Sequence, residues 1–210
     1  MPRAKQRTPQ MREHVLQAAL ELLGSDGIAQ FTTRRLAGRA GTSTPAVYEL
    51  FGDKAGLVRE VFFEGFRMLG EQLEQGERTQ DPKADLIAVT KSVRMFVREH
   101  PVLAELMFSR PLADFDPGPE DRQAGEGVRL FIVDAVKRCV RAGLLRGDAT
   151  DIAHVILALV QGLAGQETAG WLGTSAESRD RRWELAVTGL LDGLSPENPG
   201  ARRSAAWLWW

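Results

Sequence analysis

A single cysteine, Cys139, in 210 residues excludes an intrachain disulfide, and no Cys/His cluster has the spacing of a zinc site. The chain has one tyrosine and no alternating β-branched runs, so it offers little from which to build a sheet. No apolar stretch reaches the ~20 residues of a membrane helix. The longest, 152–165, is broken by His154 and Gln161. The basic start MPRAKQRT is not followed by an apolar run, which speaks against a secretory leader and for a cytoplasmic protein. A Gly-rich phosphate loop, a Gly-x-Ser-x-Gly elbow and a His-Glu-x-x-His pair are all missing. The three histidines, His14, His100 and His154, lie far apart in the sequence. No catalytic set, metal site or cofactor is therefore expected, and the chain does not read as an enzyme.

Net charge is only −1, but it is unevenly spread. Residues 1–60 hold nine Lys/Arg against six Asp/Glu, and the remainder holds 18 against 22. A small basic head on an acidic body is a distribution suited to touching a polyanion.

Nearly everything that remains reads as helix. Thr8-Pro9 starts one, with threonine as cap and proline at the first helical position. Met11, Val15, Ala18, Ala19 and Leu22 continue it at helical spacing until Gly24 and Gly27. Thr32 can cap a second, short helix, Ser43 a third, and Asp53 a long fourth running to about Gln75. A polar connection at 76–82 precedes helices expected near 83–99, 101–109, 121–143, 149–171 and 177–193. The Pro- and Gly-containing stretch 114–125 reads as a mobile loop. The ends, 1–7 and 196–210, read as flexible tails, and the terminal ARRSAAWLWW has no assigned role.

Residues 33–52, TRRLAGRAGTSTPAVYELFG, carry the chemistry. Ala37 is small where two helices must approach, and Gly41 falls in the turn, where a positive φ is easiest. Val47 follows six residues later and plugs the angle between the helices. These offsets form a helix-turn-helix pattern. Phe31, Leu36, Val47, Leu50 and Phe51 read as its core. Thr33, Ser43 and Thr44 lie at helix N-termini, where backbone N–H groups and the dipole favour a phosphate. Tyr48 can pack below and hydrogen-bond above, while Arg34 and Lys54 can reach phosphate. Pro45 and Ala46 suit thymine methyls, and Glu49 can either accept from cytosine N4 or repel phosphate and so sharpen specificity. Arg35 and Arg39 read at least as well as a solvated face. Arg3, Lys5 and Arg7 form a basic arm.

The region from about 8 to 70, and above all TSTPAVYELFGDKAGL, resembles the DNA-binding domain of the TetR family of bacterial regulators, with Tyr48, Phe51 and Lys54 at the positions of its recognition signature. Glu49 and Leu50 depart from the family's usual His and aromatic. The resemblance implies an all-α homodimer with a head at 8–70 and a helical ligand-binding and dimerisation body at 71–195. HPVLAELMF and ILALVQGLAG also resemble a ligand-domain subgroup named for Trp-x3-His-Gly, with Leu157 and Gln161 in place of its Trp and His.

In the body, Phe62, Phe66, Met95, Phe96, Met107 and Phe131 supply soft apolar surface for a pocket, and Gln161 supplies a polar group within an apolar helix. Glu167, Arg94 and His100 are further polar pointers of that kind. The small residues Ala153, Ala158, Gly162, Ala164 and Gly165 suit close helix approach. With the helix near 177–193, they suit a four-helix dimer interface. The resulting expectation is a transcriptional repressor on a pseudo-palindromic operator, with half-sites ~34 Å apart, released by an apolar or amphipathic effector. Two alternatives are an interaction protein with a degenerate DNA head and, less favoured, a helical enzyme.

Overall fold

A computed structural model describes residues 9–109 and 118–196 of the chain. The basic arm, the tryptophan tail, the Thr8 cap and residues 114–117 of the expected loop thus lie outside the described residues. Every element among the described residues is helical: α1 (Pro9–Asp26), α2 (Thr33–Arg39), α3 (Thr44–Phe51), α4 (Lys54–Glu74), α5 (Pro82–Glu99), α6 (Pro101–Ser109), α7 (Pro119–Ala124), α8 (Glu126–Arg141), α9 (Ala149–Thr168) and α10 (Ala176–Gly193), with one 3-10 turn at Ile28–Gln30. None of these helices is long and apolar enough to cross a membrane.

Two differences from the expected pattern stand out. The helix expected at 121–143 is two, α7 and α8, parted at Gly125. A Cβ on Gly125 would lie 3.1 Å from the Phe66 ring, a tight approach that a side chain could make only if the ring shifted. Part of the expected 114–125 loop is also helical, as α7.

The described residues divide into two compact units, and the division departs from the expected split at 70/71. The first takes α1–α3, α4 up to Met68, and the described residues of 100–125; the second takes Leu69–Glu99 and everything described from Glu126 onward. Within the first unit, α6 packs on α1. Gly65 lies beneath Met107, where a Cβ would stand 2.5 Å from the sulfur. Phe66 meets Phe62 and Phe108 edge to face at 5.0 and 6.1 Å between ring centres, a geometry set by the ring quadrupoles.

In the second unit α5, α8, α9 and α10 pack around Leu86, Val93, Phe96, Ile132, Val136, Ile156 and Leu191, all buried. Two polar knots fix it. Asp85 accepts from the Thr79 backbone N–H at 2.9 Å, the Thr79 hydroxyl at 2.7 Å and Arg138 Nη1 at 2.7 Å, while Arg138 Nη2 donates to the Thr79 carbonyl at 2.7 Å. The 75–81 connection is thereby tied to α5 and α8. The Thr79 hydroxyl, with Arg138, holds the Asp85 carboxyl below its ordinary 3.8, against the opposing effect of burial.

The second knot joins three helices. Arg94 donates to both oxygens of Glu167 at 2.7 and 2.9 Å and pairs with Asp180 at 2.7 Å, and its guanidinium lies 4.8 Å over the Trp183 ring. The Arg94 and Glu167 side chains are 12% and 8% exposed. The polar pair read from the sequence as a pointer to a pocket is satisfied within the chain.

Candidate nucleic-acid interface

The head is built from its caps inward. Thr32 Oγ1 accepts from the Arg35 N–H at 3.3 Å and opens α2. That helix ends in a Schellman turn, with Thr42 N–H donating to Ala37 O at 2.9 Å and Gly41 N–H to Gly38 O at 3.3 Å. Gly41 has φ 59°, the left-handed conformation that this turn requires and a glycine permits. Ser43 Oγ then accepts from the Ala46 N–H at 3.3 Å and opens α3. The next junction is tighter still. Asp53 Oδ1 accepts from the Gly56 N–H at 2.7 Å, and a Cβ on Gly56 would stand 2.0 Å from the Phe51 carbonyl oxygen. Only glycine lets α4 start so close to the end of α3.

Below this frame Leu36, Ala37, Val47, Phe51, Leu57, Val58 and Val61 are buried, as is Phe31. Leu50, read as core, is only half-buried. Arg12 reaches from α1 to pair with Glu60 at 2.7 Å and to stack 5.1 Å from the Phe51 ring. His14 Nε2 donates to the Ala40 carbonyl at 3.2 Å, so α1 also holds the turn itself.

What α3 turns outward follows from helical spacing. Val47 and Phe51 face in, leaving Pro45, Tyr48 and Glu49 exposed, with Thr44 half-buried beside them. Tyr48 is 42% exposed, its ring partly packed and the rest open. Ser43, Arg34 and Lys54 are exposed at the starts of α3, α2 and α4. Thr33 does not join them: at the first position of α2 it is 8% exposed, buried with the core.

One group of residues was not legible from the sequence. Asp26, at the end of α1, pairs with both Arg35 and, at 3.7 Å, Arg39, and Arg35 Nη1 also donates to Gln30 Oε1 at 2.6 Å. The Ser25 hydroxyl, at 2.5 Å, and the two guanidinium groups hold the Asp26 carboxyl below its ordinary 3.8, while burial opposes them. These arginines thus belong to a pair network of the head rather than to a merely solvated face. Pairing at nine and thirteen residues' separation leaves no local signature.

The residues read as pocket-lining fall in both units. Phe62, Phe66 and Met107 belong to the first, and Met95, Phe96, Phe131 and Gln161 to the second. Phe96 is wholly buried, and Met95 is 52% exposed on the outside of α5, away from any core. Gln161 is half-buried. Phe131 alone of the seven lines a cleft of about 460 Å³, mouth included, within the second unit.

Residues 15–61 match the family model for bacterial regulatory proteins of the tetR family, and residues 86–190 match that for the tetracyclin repressor-like C-terminal domain. An HTH-type transcriptional regulator of Bacillus subtilis strain 168, YvkB, itself uncharacterized, is 23% identical over 151 residues, covering 71% of this chain and 79% of that protein. A solved protein of unknown function from Rhodococcus sp. RHA1 superposes with a TM-score of 0.77 at 26% identity, over 91% of this chain and 99% of that one. A TetR variant from Acinetobacter baumannii AYE, solved in complex with minocycline, superposes at 0.60 with 20% identity, over 85% and 93% of the two chains.

Proposed function

The chain belongs to the TetR family of bacterial regulatory proteins, and on that footing we propose that it is a homodimeric repressor released from its operator by a small molecule. It is a DNA-binding transcriptional regulator, and as such works in the cytoplasm, where the DNA is. The observation that carries its DNA recognition is the outward face of a doubly capped α3. Pro45, Tyr48 and Glu49 are presented for base edges and the major-groove wall. Ser43, Thr44, Arg34 and Lys54 surround that face at helix starts, placed for phosphate oxygens. Pro45 can meet a thymine methyl, and Glu49 selects for a cytosine amino group and against nearby phosphate.

Dimerisation is assigned to α9 and α10. Val155, Ala158, Gly162 and Gly165 lie at i, i+3, i+7 and i+10 on one exposed side of α9; Leu185 and Gly189 are exposed on α10. Val155 and Leu185 are 50% and 72% exposed in the single chain, apolar surface that a second copy would cover. Two heads then read the two halves of a pseudo-palindrome. Effector and operator oppose one another through a coupling of ~1–3 kcal/mol.

The test is an electrophoretic shift on DNA upstream of the protein's own gene, across a salt series. Lys54→Ala lowers the salt slope by about one unit and weakens all sequences alike. Glu49→Gln changes the base preference within the half-site instead. Absence of any salt-sensitive specific complex at upstream DNA refutes the reading.

A further inference from the structure

The cleft of the second unit has a simple origin. On α5, Asp85, Ala88, Val89 and Ser92 follow one another at helical spacing, and on α8 Phe131, Asp134, Ala135 and Arg138 do the same. The two faces oppose each other, and the end of α4 and the connection after it close one side with Leu73 and Arg78. The floor is apolar and partly aromatic, while charge is confined to the rim.

The rim charges are Glu77, Arg78, Asp85, Asp134 and Arg138, and they are not equivalent. Glu77 is exposed on the connection and adds negative charge at the mouth. Asp85 and Arg138 are occupied by each other and by Thr79. Arg78 and Asp134 are held loosely, 3.2 Å apart, with side chains 59% and 43% exposed. The Arg78 guanidinium lies over Phe131, 5.6 Å from the ring centre. The cleft therefore already binds one planar organic cation, which is its own. That cation comes from a connecting segment, by a cation–π contact and an exposed ion pair, both weak in such settings. When Arg78 swings into water it leaves an aromatic face beside an unneutralised carboxylate, over an apolar floor.

We infer that this cleft is a binding site for a small planar organic cation of amidine or guanidine type, which stacks on Phe131, pairs with Asp134 and displaces Arg78. As the effector's site it rests on the regulator reading above; as a binding site it does not. A neutral or anionic molecule of the same shape gains the apolar floor but loses the carboxylate, and an anion is repelled by it.

The experiment uses the full chain without DNA and three ligands that match in size and planarity, benzamidinium, benzamide and benzoate, titrated by calorimetry or ligand-observed NMR. Benzamidinium binds at least tenfold more tightly than the other two. Asp134→Asn removes that preference, Phe131→Leu weakens all benzamidinium binding, and Arg78→Ala tightens it several-fold by removing the competitor. These side chains are exposed or half-buried, and an unchanged unfolding temperature of each variant certifies the fold. Equal binding of the three ligands, no binding of any, or an Asp134→Asn protein that keeps the preference overturns the proposal. Cation binding with these variant effects in a protein that forms no specific DNA complex would sink the regulator reading and leave the site standing. Specific DNA binding without cation binding would do the reverse.

Discussion

Replacing Gly162 separates two readings of the α9–α10 face. Gly162 and Gly189 sit in helix interiors without positive φ, and a Cβ built on either meets nothing within 4 Å in the single chain. Neither local conformation nor intrachain packing asks for glycine there. Each one costs a helix interior ~1 kcal/mol relative to alanine. If the face were plain solvent surface, alanine at both positions would stabilise the protein by about 2 kcal/mol, and leucine would be tolerated. If a second copy's helices close over the face, a leucine at each position wedges them apart, and twofold symmetry makes every wedge act twice. The expected outcome is that Gly162→Leu/Gly189→Leu runs as a monomer at micromolar concentration in light scattering or sedimentation, with its helical circular dichroism intact. Its operator affinity falls by ~10²–10⁴ as the second half-site is uncoupled. Gly70→Ala in α4, also facing open space, is the control: a gain of ~1 kcal/mol with the dimer retained. A double-leucine protein that stays dimeric refutes the assignment of the interface to this face.

Three further outcomes follow from the geometry. Gly56→Ala places a methyl 2.0 Å from the Phe51 carbonyl; it costs the head about 1–3 kcal/mol, at the upper end because the obstacle is backbone, and weakens operator binding in the same preparation. Thermal unfolding unchanged from wild type would show that α4 can start elsewhere. Glu167→Gln removes the charge and one of the two acceptors facing Arg94, leaving it Asp180, the Trp183 ring and a neutral carbonyl, so the urea midpoint falls by the equivalent of about 2–3 kcal/mol, less than for a fully buried pair stripped of its only partner; Arg94→Lys, unable to bind both oxygens in one plane, also loses stability. Neutral behaviour of both would mean that the knot contributes nothing net. Because the folded Asp85 carboxyl titrates below 3.8, its contribution is fully present above that value and lost as pH falls through the lower, folded one. Asp85→Asn is thus less stable than wild type at neutral pH, and the gap narrows in acid, read from urea midpoints between about pH 2 and 7; a constant gap contradicts the assignment.

The head was the most legible part of the chain because its determinants are local. Caps at Thr32, Ser43 and Asp53 lie within three residues of the N–H groups they satisfy, and Ala37, Gly41 and Val47 sit at fixed offsets. Helix-by-helix reading succeeded for the same reason. It failed where distant parts of the chain meet: the break between α7 and α8 falls at Gly125, which lies against the Phe66 ring. Thr33 looked like a helix-start donor, but the packing of α2 buries it. Arg94 and Glu167, 73 residues apart, looked like stranded polar groups because neither announces the other. Met95 and Phe96 are neighbours of equal apolarity; which one faces the core follows from the placement of α5, and a list of soft residues does not encode it.

The described residues 100–109 and 118–125 belong to the same compact unit as residues 9–68. During synthesis α1 to α3 leave the ribosome well before α6 and the residues that meet Phe66. Until then the nascent head has no cover for the α1 side on which α6 rests or for the ring cluster completed by Phe108. The body's own first helix, α5, emerges in the interval. Neither unit is contiguous in the chain, so neither is finished by translation in a single stretch, and each must wait on sequence that interrupts it. A fragment cut after Met68 would lack part of its own unit and would bind DNA less well than the same helices in the whole protein. For the same reason, exchanging regulatory bodies between relatives at that point would sever packing inside a unit.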